Sequence, residues 1–311
     1  MNFAQIGNLI SGLTVRMVVL LFGFGILASS GCESPPQIET RGEGPGDGQP
    51  LAYDEIASSH NARVEHLQKT YAYGVLEIRW EDERGVHSEP QVDVRMWLDL
   101  PKHTALRIDK LGDVLFWVGS DENDLWMFDL LRKEDRTAII RARDNEESLE
   151  SISAFGLQPD SLLGLMALRP MPEIQGDEVK VSWAPDRNAW VVSGIGDDGR
   201  TRIFFAEADL RPIRVELLSD DGQVLLHSTL DRYASVSRPG VSLLEFPKQA
   251  MWIDIVDEVG KGFAKIHLNE MTANVEGLPF DRVFDLHRLI RSLRPARIDG
   301  QPSAKPAPSG Q

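Results

Sequence analysis

The chain has 311 residues, 42% of them hydrophobic, and a formal net charge of −15. That charge argues against binding a nucleic-acid backbone and against electrostatic docking on anionic lipid; a solvated acidic surface is its simplest reading. One cysteine excludes an internal disulfide and a zinc–thiolate cluster.

Residues 1–31 read as an export signal. A leader with one cation, Arg16, precedes an apolar run over 17–27 and the small residues Ala28-Ser-Ser-Gly31. The run is well short of the roughly 20 apolar residues that span a bilayer. Cys32 follows directly, in the position of the bacterial lipobox, although Ser29 stands where that motif usually carries Leu. The expectation is a lipoprotein whose acylated Cys32 becomes the first mature residue and fixes the chain to a membrane of the cell envelope, facing the periplasm. An uncleaved anchor and plain secretion are the alternatives, and Glu33 does not decide between inner and outer membrane. Removing Arg16 with the leader leaves 32 basic against 48 acidic side chains, a net −16.

Residues 32–50 are rich in Pro, Gly and acid, the composition of a flexible tether. A tail over 295–311 has the same character and is expected to be disordered, leaving 51–294 as one domain.

Tyr53, Ile56, Ala57, Val64 and Leu67 recur at helical spacing, predicting a helix over 53–69. The period then changes to two. Leu76, Ile78 and Trp80 alternate with charged residues, as do Val92, Val94, Met96 and Leu98. The alternation continues over 105–109, 114–118, 125–129 and 137–143, and again over 178–183, 189–194, 200–206, 213–219, 223–231, 252–256 and 262–268. Asp197-Asp-Gly199 and Asp220-Asp-Gly222 are hairpin signals. So many strands joined by short turns predict a mainly β, antiparallel sheet.

Residues 148–168 break the rhythm and read as helical, interrupted over 156–159. Leu162, Leu163, Leu165, Met166 and Leu168 make the second part apolar nearly all round, so it must be buried or must plug something apolar.

These features resemble a family. The residues that carry the resemblance are His60-Asn-Ala-Arg63 leading to Gly74-Val-Leu-Glu-Ile78, Leu98-Asp-Leu-Pro101, Ala105-Leu-Arg-Ile108 with Gly112, and the hairpin over 120–128. Leu210-Arg-Pro-Ile213, Leu244-Glu-Phe-Pro247 and Phe280-Asp-Arg-Val-Phe284 complete them. Over about 52–287 the chain is similar to the LolA/LolB superfamily of periplasmic lipoprotein carriers and outer-membrane lipoprotein receptors. The resemblance implies a curved antiparallel half-barrel with an apolar concave face, an N-terminal helix, a mid-chain lid helix and no catalysis. Its partners would be a lipid, an acyl chain or a lipoprotein anchor, with no cofactor, acting as a monomer. The expected cavity or lid residues are Leu76, Ile78, Trp80, Met96, Phe116, Trp126 and Phe128, with Leu162, Leu163 and Met166.

Residue by residue, little suggests an enzyme. His-Glu-x-x-His and Gly-x-Ser-x-Gly motifs are absent, and Glu258-Val-Gly-Lys-Gly262 lacks the rest of a phosphate loop. The seven histidines are scattered. Asp121, Glu122 and Asp124 lack the order of a calcium loop and read as a solvated turn. Phe116-Trp117 and Trp126-Met-Phe128 can be ordinary core or cavity lining. Trp97, on the polar side of its strand, implies that the convex face is partly covered or is apolar for a partner. Two functions remain open: a membrane-tethered acyl-chain binder, or an envelope scaffold and assembly factor with a filled core.

Overall fold

The structure, a computed structural model, describes residues 51–82, 85–101, 103–143, 159–172, 179–196, 199–260 and 262–302. The export signal, Cys32, the tether and positions 148–158 of the expected mid-chain helix lie outside those residues. Every element below belongs to one compact unit, Thr40–Gln311.

Helix α1 (Tyr53–Glu65) leads into β1 (Lys69–Asp82), β2 (Gly85–Asp99), β3 (His103–Lys110), β4 (Asp113–Ser120), β5 (Asp124–Asp129) and β6 (Thr137–Ala142). After α2 (Pro159–Leu165) come β7 (Lys180–Ala184), β8 (Ala189–Gly196), β9 (Gly199–Ala206) and β10 (Pro212–Leu218). Then follow β11 (Val224–Ser235), β12 (Lys248–Asp257) and β13 (Phe263–Thr272). Helices α3 (Phe280–Val283) and α4 (Leu286–Leu293) and the short strand β14 (Arg297–Asp299) close the chain.

The fourteen strands among the described residues form one open sheet, ordered β14-β6-β5-β4-β3-β2-β1-β13-β12-β11-β10-β9-β8-β7. Two antiparallel meanders meet at the β1–β13 seam, and β14 pairs in parallel on β6. At the seam Gly74 is required. A Cβ there would stand 2.1 Å from the carbonyl oxygen of His267 on β13.

The sheet curls around α2. Between β3 and β10 lie six strand spacings, close to 29 Å in a flat sheet at about 4.8 Å each. Yet α2, with seven residues and so about 10 Å long, touches β3, β4 and β10. Only a concave sheet lets one short helix reach both sides. The mainly β half-barrel with covering helices expected from the sequence is therefore the architecture observed.

Three large apolar layers hold the fold, beside a small cluster of Ala189, Val191 and Phe204. The concave one joins Leu76, Ile78, Val94, Met96, Phe116, Val215, Ile253 and Ile266 to residues 162–168. Further along the sheet α1 covers β7–β9, setting Ile56 and Ala57 against Trp183, Trp190 and Phe205. On the opposite face of β2–β6, α3 and α4 lay Phe280, Val283, Leu286 and Leu289 over Trp97, Trp117, Trp126 and Phe128. Where no helix covers the outer face of the sheet, ion pairs along and across the strands occupy it. Asp109 takes Arg95 at 2.5 Å and Arg107 at 2.6 Å, and Glu216 takes Arg214 at 2.7 Å and Arg202 at 3.3 Å.

The structure departs from the sequence-based boundaries in two places. Helix α1 stops at Glu65, and β1 begins at Lys69, well ahead of the expected 76. The early start is masked in the sequence because the inward positions there are Thr70, Ala72 and Gly74, buried but too small or polar to read as an apolar series. At the other end, α4 and β14 bring order up to Asp299, beyond the 294 boundary that composition suggested.

Candidate functional site

The concave face is occupied by the protein itself. Pro159 opens α2, where the missing N–H costs nothing. Leu162, Leu163, Leu165, Met166 and Leu168 then turn in all directions, and each is between 0% and 5% exposed. The strand side chains around them are almost all aliphatic. Phe116 is the one aromatic residue buried within this layer among the described residues, with Trp80 packed at its margin.

A helix inserted this way must satisfy the carbonyls at its C-terminal end. Ser228 on β11 donates to the Leu165 carbonyl at 2.6 Å, and the Gln249 amide on β12 donates to Met166 at 3.1 Å. Arg63 on α1 donates to the Ala167 carbonyl and, at 2.6 Å, to the Gln249 side-chain oxygen. Ser228 and Gln249 are both fully buried.

The chain beyond the plug is fastened to α1 in the same way. His60 Nε2 donates to the Arg169 carbonyl at 2.8 Å. Asn61 exchanges two bonds with the Met171 backbone, at 2.9 and 2.7 Å, and the Tyr53 hydroxyl donates to the Pro172 carbonyl at 2.7 Å. With its Nε2 proton committed, His60 keeps Nδ1 as an acceptor, 3.5 Å from the Arg63 guanidinium. Burial first, and the Arg63 cation second, push its pKa down to about 3, against the opposing pull of the Arg169 carbonyl. Burial likewise lowers the Arg63 pKa from its usual value, and no carboxylate joins this cluster among the described residues. The result is a net-cationic latch of hydrogen bonds, buried at His60, Ser228 and Gln249 and half-buried at Arg63, over an apolar face.

Of the residues singled out from sequence, the structure brings Leu76, Ile78, Met96, Phe116, Leu162, Leu163 and Met166 into one layer, with Trp80 beside it. It separates Trp126 and Phe128 from them. Phe128 faces Trp117 across the β4–β5 pair and Trp126 faces Gly119, whereas Phe116, one residue from Trp117, points to the other side. Gly119 makes room for the indole, since a Cβ there would lie 2.8 Å from the Trp126 ring. Both aromatics therefore serve the layer under α3 and α4.

Sequence reasoning missed the latch, although it left a trace. Ser228 stands between Leu226 and Leu230, and Gln249 precedes Ile253 and Ile255, so each interrupts an inward-facing apolar series. The acidic turn has a local explanation. The Asp121 carboxylate accepts from the backbone N–H groups of Asn123 and Asp124, both at 2.8 Å. A groove of about 400 Å³ between this turn and α3–α4 is lined largely by carboxylates and lies off the concave face.

No protein-family model and no curated protein matches the chain. Among solved structures it is similar to a DUF1329 family protein from Desulfovibrio piger, with 13% identity, 75% of this chain and 98% of that one covered, and a TM-score of 0.49. A domain named for outer membrane lipoprotein sorting, from Vibrio parahaemolyticus, shares 14% identity over 74% of this chain and 94% of its own, with a TM-score of 0.47. A LolA superfamily protein from Nitrosomonas europaea shares 11% identity over 69% and 92%, with a TM-score of 0.42.

Proposed function

We propose that the protein is a non-enzymatic, membrane-tethered carrier or receptor of the cell envelope. Its concave face takes an acyl chain, as a lipid or a lipoprotein anchor, when the 162–168 plug moves out. One observation carries this reading: a short helix, rather than strand-borne side chains, fills the concave face. The lipid on Cys32 would hold the domain at the membrane through the 32–50 tether.

The magnitudes are compatible with exchange. Five plug side chains buried at about 1.5–3 kcal/mol each represent roughly 8–15 kcal/mol. An acyl chain of about fifteen methylenes at ~0.8 kcal/mol each represents about 12 kcal/mol. Plug and ligand are therefore competitors of similar strength for one surface.

The latch adds a chemical preference. Once the plug leaves, its carbonyls can be hydrated, but Ser228 and Gln249 lie as donors beneath whatever acyl chain replaces it. Each donor left unmet costs about 1–3 kcal/mol. Ester or amide carbonyls near the head of an acyl chain would restore those bonds, and a bare hydrocarbon would not. An acyl ester is thus favoured over an alkane as the ligand.

A second reading, a non-catalytic scaffold or assembly factor with a permanently filled core, is supported by the near-complete burial of residues 162–168. Native mass spectrometry of the protein as purified separates the two. An acyl-ester mass that disappears on delipidation supports the carrier. A single protein mass before and after challenge with lipid supports the scaffold.

A further inference from the structure

The domain is acidic overall, but its last helix is not. From Leu286 to Arg297 the chain carries Arg288, Arg291, Arg294 and Arg297 and no acidic side chain. Helix α4 packs Leu286 and Leu289 onto the tryptophans of the convex layer, so the spacing by three leaves its arginines outward. All four are exposed. Among the described residues no carboxylate pairs with the side chains of Arg288, Arg291 or Arg294; Asp285 accepts from the backbone N–H of Arg288 instead. Complementing the helix dipole explains cations in the last turn, such as Arg291 and Arg294. It does not explain Arg288 or Arg297.

Neighbouring chain extends the same face. The Arg136 carbonyl accepts from the N–H groups of Ala296 at 2.8 Å and Arg297 at 3.2 Å, and its guanidinium donates to the Leu293 carbonyl. This brings the β5–β6 turn, with exposed Arg132 and Lys133, beside the end of α4, where Glu134 is the exposed counter-charge. Asp299 is already engaged by Arg141 at 2.6 Å. Next to Arg297, Ile298 is 46% exposed. The remaining tail, 303–311, adds Lys305 and no acidic residue.

We propose that this arginine face docks on an anionic phospholipid bilayer and so orients the tethered domain with its C-terminal helix against the membrane. Arg288 and Arg291 lie on a helix seated on a sheet, and Arg294 at its cap and Arg297 on β14 continue the run past its end, not around a cleft, which suits a plane of headgroups better than a peptide. Guanidinium forks match phosphate oxygens in geometry and charge. The acidic remainder of the domain is repelled by the same surface, so this face alone is suited to approach it. The attraction is electrostatic and falls with salt.

The test uses residues 32–311 with Cys32→Ser, which carries neither the export signal nor a lipid and retains the compact unit Thr40–Gln311. The protein is floated with vesicles of phosphatidylcholine alone or mixed with phosphatidylglycerol. Several-fold more protein should float with the mixed vesicles at low ionic strength, and high salt should abolish the excess. Arg288→Gln/Arg291→Gln/Arg294→Gln should lose it with an unchanged circular dichroism spectrum and unchanged acyl-probe binding, and Arg291→Lys should keep it. Should the triple variant fail to fold, the comparison of the two vesicle types still decides. Equal flotation with both vesicle types, or a folded triple variant that floats like the parent, would overturn the proposal. So would retention on a polyglutamate matrix without flotation, which would assign the face to an acidic protein.

Discussion

Arg63, near the end of α1, donates to the carbonyl of Ala167, two residues beyond α2, and bridges to Gln249 on β12. Helix, plug and sheet are thus joined by one half-buried cation. Arg63→Met keeps the length of the side chain and removes its donors. Two acceptors then lose a partner, at about 1–3 kcal/mol each. Hydrogen exchange of the amides over 162–168 should accelerate by about tenfold or more, while the β1–β13 amides keep their protection. Equal acceleration in both regions would show that Arg63 supports the whole fold and not the plug.

Acid should open the same junction. The folded-state pKa of His60, about 3, lies below the value near 6.5 expected in the unfolded chain. Between those values the unfolded or detached state binds the extra proton. The His60 contribution is therefore fully present above about pH 6.5 and is lost as pH falls toward 3. Urea midpoints should decline over that window. His60→Gln, which retains a donor for the Arg169 carbonyl, should flatten the decline. An identical acid slope in both proteins would assign it to other groups.

The β1–β13 seam makes a stricter demand. Gly74→Ala places a methyl 2.1 Å from the His267 carbonyl oxygen, and backbone on backbone cannot yield cheaply. A loss of about 1–3 kcal/mol or more is expected from chemical denaturation. Full stability in the variant would mean that the two meanders can slide apart without cost.

Much of this fold was legible in the sequence because strand burial has a strict period of two, and α2 because its apolar residues have no polar side. What escaped depended on pairing across the sheet. Phe116 and Trp117 are neighbours in the chain and belong to different layers, and Trp126 was misplaced until its partner Gly119 was known. The C-terminal cover escaped for another reason. Helices α3 and α4 are short, and their apolar faces acquire meaning only against Trp97 and Trp117. The latch rests on Ser228 and Gln249, which the period of two turns inward but whose partners lie far away in the chain.

Export chemistry can be checked separately. If Cys32 is the lipid acceptor proposed above, Cys32→Ser should leave a longer, unprocessed chain that takes up no labelled fatty acid. Normal processing of the variant would remove the lipoprotein assignment and leave the concave face untouched.

The central claim is that an acyl chain and the 162–168 plug compete for one surface, and binding of a fluorescent acyl-ester probe tests it most directly. The comparison is between the parent protein and Leu163→Ser/Met166→Ser, with circular dichroism confirming that the β content of both is the same. Weakening the plug should tighten probe binding several-fold, and Arg63→Met should shift it in the same direction. Absence of probe binding to all three proteins would contradict the carrier and leave a scaffold with a permanently filled core.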